Sequence, residues 1–210
     1  MEIWEVIEKL SKYPDRNRKQ MRYDLPRERV YQIGGIWVAS LQPKTALDVG
    51  TAYGTLAYIL SKIGIKVTAT DIMDLHSKKM FKQRDIKFLK HNIETDEIKG
   101  KYDVVVLTGV LEHLCYNPLP VLKKLHDACN KGILISTPAK EVDYVCDGKW
   151  KDEISWRQIP EYKKYKFIDG HHHTYYLWEL DDLLKESGFR IIESQLLPLE
   201  GTWVILAEAI

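Results

Sequence analysis

The chain has few cysteines, no long apolar run and almost no net charge. Its three cysteines, Cys115, Cys129 and Cys146, are odd in number and widely spaced, which fits neither a disulfide framework nor a paired metal site. Apolar runs such as Val104–Leu107 are far shorter than the roughly 20 residues that span a membrane, so we expect no membrane span. Lys and Arg number 31 against 30 Asp and Glu, which disfavours a nucleic-acid partner because phosphate binding needs clustered positive charge.

The N-terminus also lacks the basic stretch and apolar core of a secretory signal, so we expect a cytoplasmic protein. What the chain does have is ample apolar side chain. Hydrophobic residues make up 45% of its 210 positions, which is enough to build a core. At this length we expect one domain with appendages.

Short β-rich runs alternate with helical stretches from Thr45 onward. We predict strands at 45–49, 67–70, 86–89, 102–107, 133–136, 189–196 and 203–208. We predict helices at 2–13, 27–41, 56–63, 119–129 and 177–187. Such alternation is typical of βαβ units in a mostly parallel sheet, and strands that are apolar on both faces indicate helices on both sides. The last two strands, joined through Pro198 and Gly201, predict an antiparallel edge.

The strongest local signal is Ala46–Gly54, a buried strand that runs into a glycine-containing turn and then a helix. Gly50 and Gly54 allow the backbone to turn tightly and to approach a ligand closely. Asp71 ends the next strand, 71 − 50 = 21 residues after Gly50, where a carboxylate can accept hydrogen bonds from ribose hydroxyls. These residues predict a ligand crevice beyond the carboxyl ends of the strands. A nicotinamide cofactor is the alternative ligand, although the turn does not have its GxGxxG pattern.

These residues resemble the first motif of the class I S-adenosylmethionine-dependent methyltransferases, an acid followed by x-Gly-x-Gly-x-Gly. Asp48, Gly50 and Gly54 match the motif, and Ala52 stands at the place of the middle glycine. The resemblance implies an α/β, Rossmann-like domain with a seven-stranded, mostly parallel sheet of order 3-2-1-4-5-7-6 and helices on both faces. It also implies S-adenosylmethionine as the cofactor and S-adenosylhomocysteine as the product.

Further matches extend over residues 44–210. The segment His91-Asn92-Ile93 follows the third strand, where family members present an acid and an apolar residue to adenine. Asn92 replaces the acid, but its amide oxygen can still accept a hydrogen bond from the amine. Thr108–Leu114 and Ile135–Pro138 resemble the "EHL" and "STP" segments of the branch that includes ubiquinone-pathway and natural-product O-methyltransferases. Residues 171–189 resemble the "H…EL…LL…GF" closing pattern of that branch.

The resemblance implies a set of cofactor-binding residues around the glycine turn and the next two strand ends. They are Asp48, Gly50, Thr51, Ala52, Tyr53, Gly54, Asp71, Ile72, Asn92, Ile93, Thr108 and Gly109. Within this set, Asp48 is expected near the methionine amino group and Asp71 at the ribose. Family members often cover the cofactor with a segment before the first strand, so residues 1–43 are expected to form cap helices. Tyr23, Arg27 or Tyr31 is expected to reach the site from this cap.

Methyl transfer from a sulfonium mainly requires alignment of the acceptor. A hydroxyl acceptor also benefits from a positioned base, and the candidate catalytic residues are His113, Glu112 and His171. The alternative for Glu112 and His113 is a structural role at the start of the next helix. Two imidazoles and one carboxylate would make a poor magnesium site, and we predict no metal. Small-RNA end 2′-O-methyltransferases use Glu-x-x-Glu-His around magnesium, whereas Gly109 stands at the first Glu position.

Nine aromatic residues lie within 144–178, and we predict that 139–176 forms an aromatic-rich insertion in the domain of residues 44–210. A sugar or aromatic ring can stack on such side chains, although a packing role accounts for most of them. Charge is balanced in this segment, which disfavours an RNA groove. The sequence thus predicts methyl transfer to a hydroxyl oxygen of a small-molecule or glycan acceptor. The alternatives are an RNA 2′-O-methyltransferase and a non-catalytic protein that binds an adenosine ligand.

Overall fold

The computed structural model describes residues 22–142 and 173–210, which form a seven-stranded sheet with helices on both faces. The strands are β1 (Thr45–Val49), β2 (Lys66–Asp71), β3 (Lys87–Lys90), β4 (Tyr102–Thr108), β5 (Cys129–Pro138), β6 (Phe189–Leu197) and β7 (Thr202–Ala209). The helices are α1 (Glu28–Ser40), α2 (Thr55–Lys62), α3 (Lys78–Arg84), α4 (Pro118–Asp127) and α5 (Leu177–Glu186). Two short 3-10 turns occupy Leu25–Arg27 and Leu111–His113. The helix predicted at 2–13 lies outside the described residues.

The strand order is β3-β2-β1-β4-β5-β7-β6, which confirms the predicted topology. Strands β1 to β5 pair with one another in parallel, and β7 runs antiparallel to both β5 and β6. The chain leaves β1 toward β2 on one side, whereas β4 lies on the other side of β1. The strand order therefore reverses at β1 and β4, and ligands of open parallel sheets bind beyond the strand ends at such a point.

Alternation of side chains along the strands divides the core into two layers. Ala46, Val104 and Leu134 belong to the layer that packs against α1, α2 and α3. Leu47, Val105 and Ile133 belong to the layer that packs against α4 and α5. Because the period of a strand is two residues, the same alternation decides which face each polar residue at the strand ends occupies.

Helix α3 was not predicted from the sequence. Only Met80 and Phe81 of its seven residues are buried, so it has too few apolar positions to show a helical period. Ser77 begins the helix by accepting a hydrogen bond from the Met80 N–H. Within the described residues, Cys115 and Cys129 are free thiols, and no helix has the length and apolar character needed to cross a membrane.

Candidate active site

A crevice of about 350 Å³, including its open mouth, lies at the carboxyl ends of β1, β4 and β5. Asp48, Thr108 and Ser136 line it because they continue, two residues on, the face that Ala46, Val106 and Leu134 turn toward the first core layer. The full lining consists of Tyr23, Arg27, Val30, Tyr31, Asp48, Gly50, Thr51, Ala52, Leu56, Thr108, Gly109 and Ser136.

Half of the predicted cofactor-binding residues line this crevice. They are Asp48, Gly50, Thr51, Ala52, Thr108 and Gly109. Tyr23, Arg27 and Tyr31 also line it, so the segment before β1 reaches the site. Sequence reasoning missed Ser136 as a site residue. Ser136 could have been found from the strand pattern, because it is a polar residue two positions after the apolar Leu134 and therefore on the same face of the strand.

The turn after β1 depends on its glycines. Gly50 and Gly54 have positive φ angles of 68° and 78°, which glycine adopts without steric cost. A Cβ on Gly50 would collide with Val110, and a Cβ on Gly54 would collide with Phe81. Ala52 also has a positive φ, 46°, although it carries a Cβ. Its backbone conformation is therefore strained by about 1–2 kcal/mol.

Asp71 holds the strained part of the turn. Its Oδ2 accepts a hydrogen bond from the Ala52 N–H at 2.9 Å, and its Oδ1 accepts one from the Met73 N–H at 2.8 Å. The preceding turn amides, those of Gly50 and Thr51, both donate to the Thr70 carbonyl. The carboxylate of Asp71 thus faces the turn. Each of its oxygens can accept one more hydrogen bond, so the group retains the capacity to bind hydroxyls.

Asp48 is a buried acid at the floor of the crevice. It is 1% exposed, and its Oδ2 accepts a hydrogen bond from the Thr51 hydroxyl at 2.6 Å. Burial raises the pKa of Asp48 to about 6, and the charge of Asp71 adds to this, while hydrogen bonds from Thr51 and the Ala57 amide oppose it. No cationic side chain within the described residues forms an ion pair with Asp48. A cationic ligand group would therefore stabilise this carboxylate.

The segment before α1 is tied to the helix that follows the turn. Asp24 is buried, and its Oδ1 accepts hydrogen bonds from the Tyr31 hydroxyl at 3.2 Å and the Thr55 hydroxyl at 2.9 Å. Arg27 lies with its guanidinium 3.8 Å from the centre of the Tyr23 ring and donates to the Tyr23 carbonyl at 2.8 Å. These contacts place the positive charge of Arg27 at the crevice.

Glu112 and His113 lie on the 3-10 turn after β4, in different environments. Glu112 is 3% exposed, and its Oε2 accepts a hydrogen bond from the Thr137 hydroxyl at 3.2 Å, whereas His113 is exposed. Burial raises the pKa of Glu112, and His113, Thr137 and Arg27 oppose this shift. Helix α4 is capped by Asn117, whose side chain accepts from the Leu119 N–H.

The chain returns past Glu112 after the aromatic-rich segment. His171 lies outside the described residues, but the His173 N–H donates to the Glu112 carbonyl at 3.3 Å. Tyr175, 2% exposed, follows two residues later, and its hydroxyl has no hydrogen-bond partner in the described part of the chain. Burial raises the pKa of Tyr175, and the charges of Glu112 and Glu179 raise it further. Among residues 22–142 and 173–210, no three His, Cys, Asp or Glu side chains are grouped to hold a metal ion.

The remaining predicted cofactor residues are not part of the crevice lining. They are Tyr53, Gly54, Asp71, Ile72, Asn92 and Ile93. Asn92 Oδ1 accepts a hydrogen bond from the Glu94 N–H at 3.0 Å, which leaves one further acceptor position on the amide oxygen. Ile93 is buried in the second core layer. The roles expected for these residues stay predictions.

Comparison with solved structures identifies the fold. The chain superimposes on magnesium protoporphyrin IX methyltransferase from Synechocystis PCC 6803 with bound S-adenosylhomocysteine (TM-score 0.65, 16% identity, 99% of this chain and 94% of that one). It also superimposes on 1,6-didemethyltoxoflavin-N1-methyltransferase from Burkholderia thailandensis (TM-score 0.65, 17% identity, 97% and 86%). The fold is thus that of class I S-adenosylmethionine-dependent methyltransferases.

A family model described as "Methyltransferase domain" matches residues 9–194, and the chain belongs to this family. Two ubiquinone biosynthesis O-methyltransferases, from Shewanella pealeana and Shewanella halifaxensis, are 34% and 35% identical to it over 98 residues. This match includes 42% of the chain and spans only 40% of the length of each of these relatives.

Proposed function

We propose that this chain transfers a methyl group from S-adenosylmethionine to a hydroxyl oxygen of a small-molecule acceptor. The observation that carries the proposal is the crevice at the carboxyl ends of β1, β4 and β5, which presents Asp48 and Arg27 together beside the glycine turn. Membership of the methyltransferase family supports the reaction. The curated relatives are named as O-methyltransferases, which supports oxygen as the target atom.

The residues at the crevice fit this cofactor. Asp48 is a buried carboxylate without a cationic partner in the described chain, and it complements the ammonium of the methionine moiety. Arg27 brings a guanidinium to the same crevice and complements the carboxylate of that moiety. Asp71 is not part of the lining, but it binds the N–H of Ala52, which is, and its oxygens retain acceptor positions for the ribose hydroxyls. When bound, the cofactor supplies an activated methyl group, so the protein mainly has to align the acceptor.

Glu112 is the residue that we assign to accept the proton of the acceptor hydroxyl. Its carboxylate is buried and accepts a hydrogen bond from Thr137, and a Cβ on Gly109, a residue that lines the crevice, would lie 3.7 Å from its Oε1. Burial raises the pKa of Glu112, which makes the carboxylate a stronger base than an exposed one. His113, the other candidate on this turn, is exposed and lowers the pKa of Glu112 through its charge. We therefore assign His113 an electrostatic contribution to the base.

The acceptor class follows from the surroundings of the crevice. The Burkholderia neighbour holds the small molecule 1,6-didemethyltoxoflavin together with S-adenosylhomocysteine. In this chain, Tyr23 lies against Tyr53 with ring centres 5.2 Å apart, so aromatic side chains stand beside the turn. Such side chains suit a ring-containing acceptor, aromatic or sugar.

Calorimetry with S-adenosylhomocysteine tests the cofactor assignment. We expect binding to the wild-type protein and weaker binding to Asp71→Asn, because the amide places a donor where the carboxylate accepts. Asp103→Asn is the matched control. Asp103 also accepts hydrogen bonds from two backbone amides, those of Lys44 and Thr45, but at the opposite end of the sheet. Absence of binding to the wild type would contradict the proposal.

A labelled-methyl assay over phenols, sugars, amines and RNA tests the reaction. Label on a phenol or sugar hydroxyl supports the proposal, and label on RNA supports an RNA 2′-O-methyltransferase. Binding of S-adenosylhomocysteine without transfer to any acceptor supports the non-catalytic alternative. Salt dependence separates the first two outcomes, since RNA binding weakens steeply as salt rises.

A further inference from the structure

Tyr175 carries a buried polar group that the proposed reaction does not use. Its side chain is 2% exposed, and its hydroxyl has no hydrogen-bond partner in residues 22–142 and 173–210. Buried polar groups almost always have a partner, and a lone buried hydroxyl destabilises a fold. We therefore expect this hydroxyl to form a hydrogen bond with an enclosed water.

The backbone around Tyr175 is fixed to the two segments that hold Glu112. The Tyr175 N–H donates to the Pro138 carbonyl at 3.4 Å, and the Tyr175 carbonyl accepts from the Lys140 N–H at 3.0 Å. Two residues earlier, the His173 N–H donates to the Glu112 carbonyl at 3.3 Å. The backbone at Tyr175 is thus bonded to the end of β5, next to the Thr137 that binds the Glu112 carboxylate, and the backbone two residues earlier is bonded to the turn that carries Glu112.

Several charged and titratable groups face Glu112 from the surrounding elements. His113 on the same turn and Arg27 on the N-terminal segment lower the pKa of Glu112. The charge of Glu112 helps to raise the pKa of both Tyr23 and Tyr175, and the charge of Glu179 on α5 also raises the pKa of Tyr175. The Thr137 hydroxyl donates to Oε2, and the backbone N–H of Glu112 also donates to the carboxylate, which keeps acceptor positions for further donors.

We propose that Tyr175 is a positioning residue for Glu112. The Tyr175 hydroxyl donates a hydrogen bond to one enclosed water, and this water donates to the Glu112 carboxylate. A hydrogen bond to the charged form of an acid favours that form, which opposes the effect of burial. Tyr175 then favours the ionised form of Glu112 and fixes the direction of the carboxylate. This inference rests on the proposed function only in treating Glu112 as the proton acceptor.

The test is the titration of Glu112 in Tyr175→Phe. The Glu112 carboxyl signal is followed by infrared difference spectroscopy or by 13C NMR of labelled glutamate, with Glu112→Gln used to assign it. We expect loss of the hydroxyl to raise the pKa of Glu112 by about one pH unit, the effect of one hydrogen bond to a charged group. Tyr58→Phe, a buried tyrosine in the first core layer, is the matched control and should leave the signal unchanged.

An unchanged or lowered pKa of Glu112 in Tyr175→Phe overturns the proposal and leaves Tyr175 with a packing role only. This titration needs no acceptor, so it decides the inference even if no methyl transfer is found. Where an acceptor is found, the acidic limb of the kcat profile should move to higher pH with KM unchanged. If the variant does not fold, the labelled phenol carbon of Tyr175 in the wild type decides: its signal should titrate with Glu112, and a constant signal overturns the proposal.

Discussion

Asp48→Asn should make the protein more stable at neutral pH while weakening ligand binding. The pKa of Asp48 is raised from 3.8 to about 6 in the folded protein, a difference of 6 − 3.8 = 2.2. At about 1.36 kcal/mol per unit, ionised Asp48 costs about 3 kcal/mol of folding free energy. Asparagine carries no charge, and its Oδ1 can still accept the hydrogen bond from Thr51. The expected gain for the variant at pH 7.5 is therefore up to about 3 kcal/mol.

The stability difference between Asp48→Asn and the wild type should depend on pH in a definite direction. The folded state binds the proton of Asp48 more tightly than the unfolded state does, so this cost is absent below about pH 4. It grows as the pH rises and is complete above about pH 6. Urea unfolding of both proteins between pH 4 and 8, without ligand, measures the difference in free energy of unfolding. The advantage of the variant should increase through this window and then level off.

The same substitution removes the charge that we assign to the ligand ammonium. Affinity for S-adenosylhomocysteine should therefore fall in Asp48→Asn, so that a more stable protein binds less tightly. Asp103→Asn controls for the loss of a carboxylate. The pKa of Asp103 is lowered by the Lys44 amide, so its contribution to stability has the opposite sign. A variant at Asp48 that is less stable than the wild type at pH 7.5, or a difference that does not vary with pH, would refute the reasoning.

Three further predictions follow from the turn and from Glu112. Ala52→Gly should relieve about 1–2 kcal/mol of strain, against about 0.5–1 kcal/mol of added unfolded-chain entropy. A higher urea midpoint at unchanged m-value would show the net gain, whereas a lower midpoint would contradict the strain. Gly54→Ala should unfold at lower urea than the wild type, because it combines a positive φ with a collision against Phe81; equal midpoints would argue against both effects. Glu112→Gln should lower kcat by about 10²–10⁴-fold with unchanged affinity for S-adenosylhomocysteine. Full activity in a labelled-methyl assay would exclude Glu112 as the base.

Much of the fold could be predicted because its determinants are local. The apolar runs around Leu47 and Val105 give buried parallel strands, and the spacing between Gly50 and Asp71 places a carboxylate at the next strand end. Helix α3 escaped prediction because it is short and buries only Met80 and Phe81.

The candidate site could be predicted where its residues belong to a short contiguous motif. The strand and glycine turn from Asp48 to Gly54 carry the family resemblance, and half of the cofactor residues expected from that resemblance line the crevice. The sequence could not show which of Glu112 and His113 is buried. A three-residue turn is too short to have a readable apolar period, although in the structure Glu112 points inward and His113 outward. The buried position of Asp24 depends on Thr55, which lies 31 residues away. The buried position of the Tyr175 hydroxyl, which has no hydrogen-bond partner among the residues that the structure describes, likewise depends on packing between distant segments.

The two hydrogen bonds of Asp71 have a consequence for engineering this protein. One carboxylate fixes both the bend that contains Ala52 and the start of the loop at Met73. A substitution of Asp71 made to admit an altered ligand would also remove hydrogen bonds to the backbone on both sides. Any change in ligand selectivity would therefore be accompanied by a distorted turn. Redesign for ribose-modified analogues therefore belongs at neighbouring side chains, with residue 71 left as it is.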